Sequence, residues 1–330
     1  MLRMASARST IAGADRVTLL AFLGVVLFGG ANAIGVKQTV HELAPFWGAT
    51  IRFVAAGLVM AAIALGRRRA LPRGRSLIGA MLYGAVGFGA SYGFVYPALR
   101  DTPAGTAGVL IALVPLLTFA LAIAQKQEAF HPQGLLGGLI ALAGVAVIFA
   151  DQLSTNVPPA SLVLLLLGTV CIAETGVIVK WIPRSDPFGT NAVAMLTGAA
   201  ILLVLSLVFG EPWTVPAQPA TWAAVGYLVI FGSVVMFGLY VFTLGRWTAS
   251  AVSYSTLLLP LVTVSLGAVL VDERISPSFL VGGAVILAGV YVCAFLKIRP
   301  RRSSATSLPE CLPIDACAPV LPQASASGRA

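Results

Sequence analysis

Long apolar runs separated by short polar breaks organise this chain. Stretches of mostly apolar residues fall at 17–37, 44–66, 76–99, 104–125, 133–150, 160–181, 190–209, 220–243, 249–270 and 277–297. Most match the roughly 17 to 25 residues an α-helix needs to cross a bilayer core. The breaks are rich in charge, proline or glycine, among them "GRRRALPRGR", "QKQEAFHP", "PRSDPFG" and "DERISP". The pattern predicts an all-α integral membrane protein of ten transmembrane helices with no inserted soluble domain. The first run is too long for a signal peptide and leads straight into a second, so it reads as a retained helix.

The fourth and ninth runs share a feature. "ALVPLLT" at 112–118 returns as "LLLPLVT" at 257–263, placing Pro115 and Pro260 145 positions apart. The same shift pairs Glu128 with Glu273, Pro132 with Pro277, and the "GG" and "AGV" runs that follow. Earlier, "GVK" ending at Lys37 faces "IVK" ending at Lys180, and Pro45–Phe46 faces Pro187–Phe188. The chain therefore reads as two halves of five helices around a central cavity. Five is odd, so the second half enters the membrane inverted. The expected boundaries are a cytoplasmic segment 1–16, a first repeat 17–150, a second repeat 151–297 and a disordered cytoplasmic tail 298–330.

Each proline lacks one helical hydrogen bond and frees a carbonyl four residues earlier, at Ile111 or Thr256. Such a carbonyl is tolerated only where a cavity or a neighbouring helix receives it. Pro115 and Pro260 are thus candidate hinges, with a fixed packing kink as the other reading.

The order "LFGGAN…K", "PFWGATIRF" and a duplicated "P…E…P…GG…AGV" resembles the drug/metabolite transporter superfamily, in its branch with paired EamA domains. The resemblance spans nearly all of 17–297. It implies a ten-helix basket and export or exchange of small metabolites, without naming a substrate.

Composition agrees with a membrane solvent. The chain has 330 residues, 58% hydrophobic and 10% charged, with a mean hydropathy of +0.94; soluble domains carry roughly 25% charged residues. The net charge of +9 sits where topology wants it, at Arg3, Arg8 and Arg16, at Arg67 to Arg75, and at Lys297 to Arg302. Lysine and arginine favour cytoplasmic loops, so both termini are expected in the cytoplasm of a cell with an inner membrane. Nucleic-acid binding is not expected. Cys311 and Cys317 in the tail are expected reduced, and no metal or cofactor is expected.

Catalytic chemistry finds no purchase: both histidines and all but one glutamate fall in loops or tails, and no phosphate-binding GxxxxGK[ST] loop occurs. The exception is Glu174, roughly 21 Å along its run at 1.5 Å per residue. A carboxylate inside a bilayer is costly and so a functional candidate. It suits a proton or cation carrier, or else a carboxylate held for packing. Arg52, roughly 12 Å into its run, would attract a substrate carboxylate or pair internally with Glu174 or helix carbonyls. Ser253, Tyr254, Ser255 and Thr256 stand where the first half has Gly108, Val109, Leu110 and Ile111, a candidate substrate-facing surface. Asn32, Tyr92 and Tyr96 are expected co-liners.

The expected function is a secondary transporter, not an enzyme, exporting small organic metabolites such as amino acids or amphipathic compounds by alternating access. The alternatives are a lipid-linked sugar flippase, a sugar-nucleotide exchanger, or a non-transporting scaffold or sensor. Expected partners are a small-molecule substrate, the lipid bilayer, protons as coupling ion and a second copy of the chain.

Overall fold

The structure, a computed structural model, describes residues 16–150, 157–183, 185–271 and 277–295. Arg3, Arg8, Arg184, Glu273, Arg274, Lys297 to Arg302 and the tail cysteines lie outside the described residues.

The regular elements among the described residues are helices. Eight helices are long and apolar enough to cross a membrane: α1 (Arg16–Thr39), α2 (Pro45–Gly66), α3 (Arg75–Ala98), α4 (Gly105–Ala124), then α6 (Pro159–Trp181), α7 (Pro187–Val208), α8 (Pro219–Leu244) and α9 (Ala249–Val269). Two shorter apolar helices, α5 (Pro132–Ile148) and α10 (Pro277–Phe295), complete the order. These elements fall on the ten apolar runs within a few residues. Helices α2, α5, α6, α7 and α8 each begin at a proline. There the ring presets φ, and the missing N–H would have had no intrahelical acceptor.

Four helices are not regular. In α3 the segment Ala85–Ala90 is π-helical, and in α8 so is Ile230–Val235; the two segments are related by the same 145-residue shift that relates the prolines. The apolar pattern gave no hint of either. Helix α4 breaks after Ile111 and resumes at Val114, so Pro115 sits in the first turn of the second piece. Helix α9 breaks at Tyr254, and Pro260 lies inside its longer piece.

Small residues let the helices approach. Helix α5 packs along α10, where a β-carbon on Gly144 would stand 2.7 Å from the Gly282 carbonyl oxygen and one on Gly289 2.6 Å from that of Gly137. Helix α2 packs along α7 through Gly57 against Leu196. Gly89 and Gly93 of α3 likewise face Ile201 and Leu205 of α7. In lipid, such packing and interhelical hydrogen bonds hold a bundle together, because tails are as apolar as leucine. The largest core cluster joins Phe46, Phe53 and Met60 to Tyr83 and Phe88, and to Met195 and Leu202.

The helix ends gather into two sets. In one, the turn after α1 meets the segment after α7: Trp47 stacks on Trp213 at 5.0 Å, and Thr214 donates to the Glu42 carbonyl. In the other, Arg67 lies over Phe188, Arg75 over Trp181, and Glu128 meets Ser250.

Candidate functional site: a cavity between the two halves

A cavity of about 320 Å³ lies among α1, α3, α4, α6, α8 and α9. Its lining pairs residues that occupy matching places in the two halves: Asn32 with Thr175, Tyr92 with Phe237, Val95 with Tyr240, Ile111 with Thr256, and Val114 with Leu259. Ile111 and Thr256 carry the carbonyls that Pro115 and Pro260 leave without a helical donor. Both therefore border the cavity, the setting in which such a carbonyl is tolerated.

Four hydroxyls of the lining share one polarity. Ser91 donates to the Gly87 carbonyl, Thr175 to that of Cys171, Ser253 to that of Ser250 and Thr256 to that of Ser253. Each proton is held by the helix, which leaves oxygen lone pairs as acceptors along the wall. The rings of Tyr92 and Tyr96 meet edge-on at 5.2 Å, and Tyr92 meets Phe53 in the same way. Among the described residues no charged side chain lines this cavity.

Asn32, Tyr92, Tyr96, Ser253, Ser255 and Thr256 are brought together here. Tyr254 is turned away: its hydroxyl donates to the Gly134 carbonyl of α5 at 2.7 Å. Arg52, 4% exposed, lies behind the wall, its Nε donating to Ser233 Oγ and its Nη2 to the Gly232 carbonyl, both at 2.8 Å. Asn32 Nδ2 donates to that same carbonyl at 3.1 Å, so one π-segment oxygen joins Arg52 to the lining. The hydrogen-bond partners of Arg52 among the described residues are a serine hydroxyl and a helix carbonyl, and not Glu174. Glu174 is also off the wall, one residue from Thr175. Its Oε1 accepts from exposed Gln125 at 2.6 Å, and its Oε2 is buried without a hydrogen-bond partner.

Sequence reasoning did not single out Thr118, Thr175, Phe237 or Tyr240 as liners. The signal was present for two of them, since Thr175 and Phe237 are the counterparts of the candidates Asn32 and Tyr92. It also missed two carboxylates that tie the halves together. Helix α7 is capped by its own Asp186, which accepts from Phe188 and Gly189 N–H. The matching place before α2 is Ala44, which has no side-chain acceptor. Glu211 from the other half supplies it, accepting from Phe46 N–H at 3.1 Å and Trp47 N–H at 2.8 Å. At the opposite set of ends Glu128 accepts from the Ser250 N–H and hydroxyl. A carboxylate at a helix N-terminus satisfies free N–H groups and complements the helix dipole.

The description "EamA-like transporter family" matches the chain twice, over residues 16–150 and 160–295. The chain is 28% identical over 277 residues to the "Uncharacterized inner membrane transporter YedA" of Escherichia coli (strain K12), covering 82% of this chain and 89% of that protein. It is 26% identical over 289 residues to a "Probable amino-acid metabolite efflux pump" of the same organism, covering 84% and 94%. A crystal structure 21% identical in sequence superposes with a TM-score of 0.72, over 84% of this chain and 96% of the other, which shows the fold. Two matched copies covering the helices around a shared cavity place this chain in the EamA-like transporter family, as a multi-pass membrane transporter and not an enzyme.

Proposed function

We propose that the chain is a secondary transporter that moves small organic metabolites by alternating access, with the halves as inverted five-helix repeats. The observation that carries this reading is the cavity lined by matching residues of both halves, between Glu211 at one set of helix ends and Glu128 at the other. Each carboxylate crosses from one half to the other, so breaking either pair opens the cavity on one side. Inversion accounts for the grouping of the ends. The turn after α1 meets the segment after α7, whereas the turn after α6 meets the start of the segment after α2. In this reading α5 and α10 also span, the basic turn 67–75 and both termini face the cytoplasm, and the boundaries at 150 and 297 divide the repeats. The two halves supply both gates within one chain, so a second copy is not required.

The cargo suits this lining: an apolar or aromatic body against Tyr92, Tyr96, Phe237 and Tyr240, with donors facing the hydroxyl oxygens. Amino acids and amphipathic compounds fit that description, and the efflux pump among the relatives supports export. A sugar-nucleotide exchanger would need cations on the wall, where none stands among the described residues. Glu174, with one oxygen unpartnered and adjacent to Thr175, is the proposed proton carrier. The test is a metabolite panel in proteoliposomes with and without a pH gradient. Cargo-specific flux supports the reading, and a protein that moves none of the panel contradicts it.

A further inference from the structure

We infer that Arg52 sets the charge preference of the cavity without touching the cargo, biasing it toward molecules that carry a carboxylate. This rests on the reading of the cavity as the cargo site.

The guanidinium is buried, and its hydrogen bonds among the described residues go to neutral groups, Ser233 Oγ and the Gly232 carbonyl. It also lies over the Phe53 ring, 5.1 Å from its central carbon. The two carboxylates at the nearest helix ends are engaged elsewhere. Glu211 holds the first amides of α2 and the Ser206 hydroxyl. Glu42 holds the amides of Ala217 and Gln218 at the start of α8. Arginine does not deprotonate in proteins, so among the described residues its positive charge is buried with no carboxylate among its hydrogen-bond partners, while Glu211 and Glu42 keep their negative charges at the helix ends.

That charge stands close behind the wall. Asn32 lines the cavity and shares the Gly232 oxygen with Arg52. Tyr92 lines the cavity and packs on Phe53, over which the guanidinium lies. Tyr96 lines both the cavity and a crevice of about 20 Å³ that Arg52 also borders. The crevice has room for about one water, so a cargo group stays on the cavity side and feels Arg52 through the intervening atoms.

Glu174 flanks Thr175 on the other half's side of the cavity, with one carboxylate oxygen on exposed Gln125 and the other buried. Buried charges act over longer distances than screened ones. Arg52 therefore contributes a positive potential at the end marked by Asn32 and Tyr96. A carboxylate is drawn to that end, and a cationic cargo is disfavoured.

The test uses three probes of nearly one shape: 3-phenylpropionate, 3-phenylpropanamide and 3-phenylpropylamine. Equilibrium dialysis against the purified full-length chain in detergent gives their relative affinities. The expected order is acid over amide over amine, with acid over amide by roughly ten-fold, the effect of one charge across about 10 Å at an effective dielectric near 20. Arg52→Gln is expected to bring acid and amide level while amide affinity holds. Arg52→Lys is expected to restore the acid preference. Ser233→Ala removes a hydrogen bond and keeps the charge, so it too should retain the preference, which separates charge from scaffolding. A parent that binds amide or amine as well as acid, or that binds no acid, overturns the inference whatever the variants do. A parent that shows the acid preference but moves no solute in liposomes overturns the transport reading and leaves this one standing.

Discussion

Asn32 leaves no room for a side chain at Gly232: a β-carbon built there would stand 1.9 Å from the Asn32 Oδ1. Thr175 stands in the same way against Gly87, with its hydroxyl 2.9 Å from the corresponding point. Gly87 and Gly232 are both in π-helical segments, at matching places in the two halves. The first helix of each half thus crosses a widened turn that glycine keeps open. A Gly232→Ala substitution is expected to destabilise by about 1–3 kcal/mol through overpacking. Combining it with Asn32→Ala should recover at least about 0.5 kcal/mol relative to additivity, the scale of coupling between touching residues. Thermal or denaturant unfolding of the four proteins in the cycle measures this. Strict additivity would mean that the two residues do not meet.

Glu211 replaces a cap that α2 lacks locally. Glu211→Ala should leave the Phe46 and Trp47 amides without acceptors and cost about 1–2 kcal/mol. Hydrogen exchange is the direct readout. Protection at 46–47 should fall in Glu211→Ala and hold in Asp186→Ala, while protection at 188–189 should do the reverse. Loss at both places in either variant would point to general unfolding.

Pro115 and Pro260 both free the carbonyl of a residue that lines the cavity, but their helices differ. Helix α4 is broken just before Pro115, whereas Pro260 lies within a continuous piece. If the prolines are hinges, alanine at either slows turnover with expression and binding intact. Unchanged transport in both variants would leave them a packing role alone.

Much of this fold was legible in the sequence because membrane helices announce themselves by apolar length, and the shift of 145 aligned prolines, glycines and glutamates together. The lining was partly legible: six of the nine candidate cavity and coupling residues lie on the wall. The three that do not failed for distinct reasons. Tyr254 sits at the α9 break, which turns it toward α5. The fate of Arg52 depends on a π-segment carbonyl, and a π-segment leaves no mark in an apolar run that is hydrophobic all round. Glu174 was placed by its depth along α6, but depth does not give the direction of a side chain around a helix. Glu211 was invisible for a simpler reason. Its acceptor role is set by Phe46, 165 residues earlier in the first turn of α2.

Glu174 is the proposed coupling group, and Glu174→Gln keeps its shape while removing its ability to ionise. The expected protein is folded and inserted, and still binds cargo. It has lost accumulation driven by a pH gradient while counterflow exchange continues. Accumulation with the parent's pH dependence would show that Glu174 only packs against Gln125.

The central claim is that one cavity opens to each side of the membrane in turn. Ser255 lines that cavity. A Ser255→Cys substitution in a chain whose four native cysteines are replaced makes the claim measurable. An impermeant methanethiosulfonate reagent is applied to right-side-out and to inside-out vesicles. The account predicts labelling from both sides, with Glu211→Ala raising the rate on one side and lowering it on the other, and Glu128→Ala doing the opposite. Labelling from one side only in the parent and both variants, or rates that rise on both sides together as in a channel, would contradict it.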